Sequence, residues 1–144
     1  MLEMVSAKDH PAIQVLIRFC EEGQGTRVGR EFTTFVRALT EQLPPNAEAT
    51  VSMRKLLECQ DCATRSEQIN PDLVWGPRSA REHAAVQSML QFFEYSPDSP
   101  ACARDFYEFA QALVDTLTVN AEAVFAVRKL LESRDCALRA MRLR

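Results

Sequence analysis

The chain has 144 residues, a formal net charge of −3 at pH 7, and 47% hydrophobic and 26% charged residues. This composition is typical of a folded globular protein, and the slight acidic excess excludes a general electrostatic affinity for nucleic acid polymers. No apolar run approaches the roughly 18 residues that a membrane-spanning helix needs, and the first residues lack the pattern of a secretory signal. We therefore expect a cytoplasmic protein with no membrane association.

Three helices are predicted in the first part of the chain. The first covers residues 9–20 and leads into a glycine-containing loop. Pro44 and Pro45 end the second helix, and Asn46 is a natural N-cap for the third. Apolar residues recur at helical spacing on one side of the second helix. They are Phe32, Phe35, Val36, Leu39 and Leu43. The apolar side of the third helix carries Met53, Leu56, Leu57 and Ala63.

The second part of the chain repeats the first. Residues 104–139 align with residues 30–65 at a constant offset of 74, and 19 of the 36 positions are identical. Upstream of this block the alignment continues with an offset of 73. Internal similarity of this extent indicates two copies of one structural unit. We refer to residues 8–66 as the first copy and to residues 81–141 as the second copy.

The second copy is predicted to contain the same three helices. A short helix covers residues 79–94, and Asn120 is the N-cap of the last helix. The apolar stripe of the middle helix consists of Phe106, Phe109, Leu113 and Leu117. Two helices joined by a turn of about four residues form an αα-hairpin. The sequence therefore predicts an all-α fold of two tandem αα-hairpin repeats, each with a short preceding helix, in residues 1–66 and 79–144 with a linker at 67–78.

Each predicted unit carries more large apolar side chains than a core of its size can bury. Units of about 60 residues are marginally stable alone, so we expect the two copies to pack on each other. The aromatic residues exceed what one small bundle can bury, and large exposed apolar patches usually mark interfaces. These residues include Phe92, Phe93, Phe125 and Trp75. We therefore expect a homo-oligomeric helical bundle.

Residues that could support catalysis are scarce in the sequence. Five cysteines in a chain without an export signal indicate reduced thiols, and no second ligand pair accompanies Cys59 and Cys62 to form a zinc site. His10 and His83 occupy equivalent positions and are expected to cap or pack at helix starts. No catalytic or phosphate-loop motif occurs. We predict no enzymatic activity, no metal and no cofactor.

Basic residues recur in both copies and favour anion binding. Arg30 and Arg104 begin the middle helices, where free backbone amides and positive charge favour an anion. Tyr95 stands at the mouth of the loop before Arg104, where its ring would either stack on a base or pack in the core. The alternative for the basic residues is surface pairing with nearby carboxylates. Those carboxylates are Glu31, Asp105, Glu58 and Glu132.

The segment LPPNAEATVSMRKLLECQDCA, which follows an amphipathic helix, resembles the helical hairpin of phage anti-CBASS and anti-Thoeris cyclic-nucleotide sponges. Members of that family show an F-x-Y segment, a proline-containing loop, an arginine-containing helix, and a helix with an A-L-x-K-L-x-E-type core. The second copy carries Phe93-Glu94-Tyr95, Pro97 and Pro100, Arg104, and Arg128-Lys129-Leu130-Leu131-Glu132 in that order.

This resemblance implies a non-enzymatic oligomer that sequesters cyclic di- or trinucleotide or cyclic ADP-ribose-type immune signals. Family members assemble from several hairpins, commonly six, and hold the ligand in pockets between protomers, so three chains of this protein would supply six hairpins. By motif match, Tyr95 would stack on a base and Arg104 would contact phosphate, with Arg30 as the first-copy equivalent. The other ligand-binding residues would be Ser96, Arg128 and Lys129. A phage-encoded chain would act in the host bacterial cytoplasm.

The first copy departs from the family pattern. Glu22 stands where the second copy has Tyr95, and the glycine-containing loop replaces the proline-containing one, so the first copy is expected to carry a degenerate site. The late aromatic-Ala-Asn segment of the family reads Asp-Cys-Ala here. The alternative function is a helical protein–protein interaction module, such as an inhibitor or adaptor. Such a module would dock the surface formed by Phe92, Phe93 and Trp75.

Overall fold

The computed structural model describes residues 6–22, 27–69 and 78–143, and every regular element in these ranges is a helix. The α-helices are α1 (Pro11–Glu22), α2 (Arg27–Gln42), α3 (Ala47–Gln68), α4 (Ala84–Leu90), α5 (Ala101–Thr116) and α6 (Ala121–Arg142). Short 3-10 turns lie at Ala7–Asp9, Ala80–Glu82 and Gln91–Phe93. None of these helices is long and apolar enough to cross a membrane. The predicted all-α class is confirmed.

The predicted N-caps and apolar stripes are confirmed. The side-chain oxygen of Asn46 accepts a hydrogen bond from the Ala49 amide at 3.0 Å, and that of Asn120 accepts one from the Ala123 amide at 2.9 Å. Turns of four residues join α2 to α3 and α5 to α6. All of the predicted stripe residues of α2 and α5 are buried. They are Phe32, Phe35, Val36 and Leu39 in α2 with Leu43 just after it, and Phe106, Phe109 and Leu113 in α5 with Leu117 just after it.

The first helix of the second copy differs from its prediction. Instead of one helix over residues 79–94, a 3-10 turn, α4 and a second 3-10 turn follow one another. The break falls at His83, whose Nδ1 accepts a hydrogen bond from the Ala85 amide at 3.0 Å and so caps α4. His10 makes the equivalent bond with the Ala12 amide at 3.1 Å. Both histidines therefore act at helix starts, as predicted.

Helices α3 and α6 pack antiparallel along their length. Ser52 Oγ donates to the Ser133 carbonyl at 2.8 Å, and Ser133 Oγ donates to the Ser52 carbonyl at 2.8 Å. Asn46 at the start of α3 donates to the Ala140 carbonyl near the end of α6 at 3.0 Å. Two small residues at the crossing let the backbones come close enough for these reciprocal bonds. The two copies are therefore joined mainly through their third helices.

Helices α2 and α5 form the second contact between the copies. The rings of Phe35 and Phe109 are stacked, with centroids 4.5 Å apart and planes within 3°. Phe32 meets Phe109 edge to face at 4.8 Å, and Phe35 meets Phe106 edge to face at 4.9 Å. A shift of 74 residues turns each of these edge-to-face contacts into the other. Aromatic contacts of this geometry each contribute about 0.5–1.5 kcal/mol beyond area burial.

Several large apolar side chains remain on the surface. Phe93 is buried, whereas Phe92 beside it is 65% exposed. Phe19 aligns with Phe92 in the first copy and is also exposed. Phe125 and its counterpart Val51 form a second exposed pair. Trp75, which was predicted to be part of the docking surface, lies outside the described residues.

Candidate functional site

Tyr95 and Ser96 lie in the loop that leads into α5, the helix that carries Arg104. Tyr95 is 43% exposed, and its ring packs edge to face on Tyr107 with centroids 5.4 Å apart. Arg104 lies in the first turn of α5 and is exposed. Tyr107 follows Arg104 by about one helical turn, so the Tyr95 ring packs on α5 close to the turn that carries Arg104.

The charge of Arg104 is already paired on the surface. Arg104 Nε donates to Glu108 Oε1 at 3.0 Å, one helical turn later, and this hydrogen bond raises the pKa of the Arg104 guanidinium. The surface pairing considered from sequence is therefore present, with Glu108 as the partner. Exposed pairs of this kind are worth about 0–1 kcal/mol. A ligand phosphate would compete with a weakly held carboxylate.

The other predicted ligand residues lie elsewhere in the chain. Gln42 at the end of α2 donates a hydrogen bond to Asp105 at the start of α5, so these helices run antiparallel and Arg30 lies at the opposite end of the pair from Arg104. The Arg128 guanidinium lies 5.9 Å from the centroid of the Phe125 ring. Lys129 Nζ approaches the Glu132 carboxylate at 3.8 Å.

Lys129 belongs to a cluster of four charges on the outer side of the α3–α6 crossing. Lys55 Nζ lies 3.3 Å from Glu132 and 3.5 Å from Glu58, while Lys129 Nζ lies 4.0 Å from Glu58. Each lysine thus bridges both helices. For these lysines the predicted surface pairing with Glu58 and Glu132 is confirmed, and the cluster acts as a structural contact between the copies.

A cavity of about 440 Å³ opens next to Ser96, between the loop before α5 and the last turns of α6. We call it the α6-end cavity. It is lined by Ser96, Asp98, Ser99, Pro100, Arg134, Leu138, Met141 and Arg142. Two arginines from α6 and two serine hydroxyls from the loop, with two apolar side chains of α6, suit an anionic group attached to an apolar body. Tyr95 adjoins Ser96 at the edge of this loop.

Arg134 was not among the predicted site residues. It aligns with Gln60 of the first copy, so it is not one of the positions at which the two copies agree. The sequence signal that reveals Arg134 is a difference between the copies: a cation in one copy where the other has a neutral residue of similar length. The structure places Arg134 where it touches the loop that carries Tyr95, because its Nη2 donates to the Glu94 carbonyl at 3.3 Å.

A second depression lies between α2 and α5 and has the opposite character. It measures about 310 Å³, and its apolar floor is formed by Phe35, Ala38 and Phe109. Glu31, Asp105 and Glu108 line its rim together with Thr34. Three carboxylates give this groove a negative potential, which disfavours a phosphate. Of these two cavities, the α6-end cavity is the better suited to a phosphorylated ligand.

The cysteines carry no arrangement for chemistry. All five are buried and free. Burial raises the pKa of the Cys20 and Cys102 thiols to about 11, so these groups are protonated and unreactive near neutral pH. Within residues 6–22, 27–69 and 78–143, no group of three or more His, Cys, Asp or Glu side chains could hold a metal ion.

No protein-family model, curated protein or solved structure matches the chain. Three features of the second copy suit a ligand. These are the half-exposed ring of Tyr95, the guanidinium of Arg104 and the cavity that begins at Ser96.

Proposed function

We propose that the protein binds a cyclic nucleotide signal without cleaving it and so lowers the free concentration of that signal. The observation that carries the proposal is the part-exposed Tyr95 ring, which packs on α5 about one turn from Arg104 and directly precedes Ser96 in the wall of the α6-end cavity. Stacking of a base on an aromatic ring is worth about 1–3 kcal/mol, and an arginine supplies charge-assisted hydrogen bonds to a phosphate. Tyr95 would stack on a base, while Arg104 and Ser96 would hold phosphate oxygens.

The proposal includes an oligomer of tandem αα-hairpin repeats, with three chains supplying six hairpins. The support for association is the exposure of matched apolar residues, Phe19 with Phe92 and Val51 with Phe125. Arg30 lies at the opposite end of the α2–α5 pair from Arg104, and Lys129 pairs with Glu58 and Glu132. In this proposal these two residues and Arg128 contact the ligand across an interface between chains. Mass measurement in solution tests this part separately: a monomer at working concentration contradicts it.

The ligand is tested by thermal shift against cyclic di- and trinucleotides and cyclic ADP-ribose isomers. A ligand at 100 times its Kd should stabilise the protein by about 2.7 kcal/mol, which corresponds to several degrees in Tm. Tyr95→Ala and Arg104→Glu should abolish the shift and leave the oligomer unchanged. Arg54→Glu is the matched control, because the parent side chain is exposed away from the predicted contacts.

The alternative is a helical protein–protein interaction module without a small-molecule ligand. It is favoured by the exposure of Phe92, an aromatic residue that one chain alone leaves in water. In that case no cyclic nucleotide shifts the Tm, and Phe92→Ala removes binding to a protein partner. A cyclic nucleotide shift that survives Phe92→Ala but not Tyr95→Ala rejects the alternative.

A further inference from the structure

We propose that the α6-end cavity binds the phosphate group of an organic phosphate, with Arg134 and Arg142 as the cations and the Ser96 and Ser99 hydroxyls as additional donors. The proposal deepens the proposed function by naming phosphate-holding residues for it. It rests on the proposed function only for the identity of the ligand as a cyclic nucleotide.

Arg134 has hydrogen-bonding capacity left over in the cavity wall. Its side chain is only 14% exposed. Nη2 donates to the Glu94 carbonyl at 3.3 Å, and Nη1 lies 3.4 Å from Asp135 Oδ1, which are both long contacts. Nε is buried and has no hydrogen-bond acceptor within the described part of the chain. Nη1 and Nη2 each carry two N–H donors, and an oxyanion in the cavity would accept from those that the Glu94 and Asp135 contacts leave open.

The loop supplies hydroxyl groups on the facing side. Ser99 Oγ accepts a hydrogen bond from the Ser96 amide at 3.0 Å and lies 3.3 Å from Ser96 Oγ. These two hydroxyls are therefore held together at the cavity wall. Arg142 in the last turn of α6 is exposed and adds a second cation to the lining, while Asp98 adds one carboxylate at the exposed loop. The lining thus carries one net positive charge, which suits one phosphate group.

The cavity is larger than a phosphate ion, and part of it is apolar. Leu138 and Met141 lie on the α6 side, one to two turns after Arg134. Apolar surface beside a charged cluster favours a phosphate that is attached to a planar or apolar body over free inorganic phosphate. The ligand class that fits is an organic phosphate such as a nucleotide.

Comparison with the first copy shows that the arginine is not required for the fold. Gln60 occupies the position of Arg134, and its Nε2 donates to the Cys20 carbonyl at 3.0 Å. A neutral glutamine therefore makes a comparable bond from the third helix to a carbonyl near the end of the first helix of its copy. Gln68 stands in place of Arg142. The second copy has two cations at positions where the first copy needs none.

Arg134→Gln is consequently a sharp test, because it keeps a donor for the Glu94 carbonyl and removes the charge. The probes are inorganic phosphate, adenosine 5′-monophosphate and adenosine, titrated at constant ionic strength. Binding is followed by the arginine Nε–H signals in ¹H–¹⁵N NMR spectra. We expect a saturable shift of the Arg134 Nε–H signal with both phosphates and none with adenosine, and tighter binding of the nucleotide than of inorganic phosphate.

Arg134→Gln and, separately, Arg142→Gln should each weaken binding at least tenfold, whereas Arg54→Gln on the exposed side of α3 should leave it unchanged. No saturable shift, or equal binding by Arg134→Gln, overturns the site. If cyclic nucleotides bind but Arg134→Gln binds them equally well, this inference fails and the proposed function stands. If adenosine 5′-monophosphate binds at Arg134 but no cyclic nucleotide binds, the proposed function fails and the phosphate site stands.

Discussion

In the first copy the Gln60 side chain donates a hydrogen bond from the third helix to the Cys20 carbonyl. In the second copy Arg134 stands at this position, donates to the Glu94 carbonyl and also carries a positive charge. The surroundings differ in the same direction. The second copy has Tyr95 where the first has Glu22, and Arg142 where the first has Gln68. One framework thus supports a cationic, aromatic surface in one half and a neutral or acidic surface in the other. Positions that both copies share stabilise the packing of the helices, whereas the positions that differ are available to contact a ligand.

The interface between the copies shows the opposite behaviour, because its contacts recur in both halves. Arg65 pairs with Glu122 at 3.2 Å, and 74 residues later Arg139 pairs with Glu48 at 3.3 Å. The stacked Phe35–Phe109 rings follow the same relation. Contacts that bury most of the core are shared, so differences between the copies concentrate at the solvent-facing ends.

The largest expected effect tests whether the two copies form one core. Phe32 and Phe106 are equivalent and fully buried. We expect Phe32→Ala and Phe106→Ala each to lower the free energy of unfolding by about 3–5 kcal/mol, because each leaves a cavity in the core. Urea unfolding followed by circular dichroism should remain a single transition in both variants. Two separate transitions, of which only one shifts, would contradict a shared core.

A smaller effect on stability is expected at the two helix-capping asparagines, which are equivalent in sequence but have different surroundings. Asn46 and Asn120 each cap a helix by accepting from a backbone amide. Of these two asparagines, only Asn120 also accepts a hydrogen bond from a side chain, the Ser66 hydroxyl at 3.0 Å. Ala140 occupies the position of Ser66 in the second copy. We expect Asn46→Ala to cost about 1 kcal/mol and Asn120→Ala about 2–3 kcal/mol, because a buried hydroxyl loses its acceptor.

Ser66→Ala is the control for this difference. In that background the cost of Asn120→Ala should fall towards the cost of Asn46→Ala, as measured by urea unfolding. Equal costs of the two asparagine substitutions in the unmodified background would show that the Ser66 hydroxyl does not matter.

The smallest effect concerns Cys102, which stands where the first copy has Val28. Burial raises the pKa of the Cys102 thiol from 9.0 to about 11. Between pH 9 and 11 the unfolded chain loses the thiol proton while the folded chain keeps it, so this thiol lowers the stability as the pH rises. We expect the free energy of unfolding of Cys102→Val, relative to that of the wild type, to be about 1 kcal/mol higher at pH 10 than at pH 7. An unchanged difference between the two pH values argues against the raised pKa.

The regular parts of the fold could be predicted because they depend on local chemistry. Helical spacing identified the buried stripes of α2 and α5, and asparagine at positions 46 and 120 identified two helix starts. The capping role of His83 is predicted, but the division of residues 79–94 is not, because 3-10 turns on both sides of α4 interrupt an otherwise helical pattern. The antiparallel pairing of α3 with α6 could not be predicted from hydrophobic periodicity. Periodicity shows which face of a helix is buried but not which helix packs against it.

The candidate site was predictable only in part. The motif that contains Tyr95, Ser96 and Arg104 is continuous in sequence, so these residues are predictable as neighbours along the chain. Arg134 and Arg142 reach the cavity at Ser96 from α6 because of how that helix packs, and sequence spacing does not reveal such a contact. Arg30 and Lys129 repeat in the sequence, but the first lies at the other end of the α2–α5 pair and the second pairs with Glu58 and Glu132.

The central claim is that the protein holds a cyclic nucleotide in the second copy without changing it. The most direct measurement incubates the protein with each cyclic nucleotide, removes the free ligand, denatures the protein by heat and identifies the released compound by mass spectrometry. We predict that the compound is recovered intact, at no more than one molecule per chain, and that it is absent when Tyr95→Ala is used. Recovery of a cleaved product would show an enzyme, and recovery of no ligand from the unmodified protein would contradict sequestration.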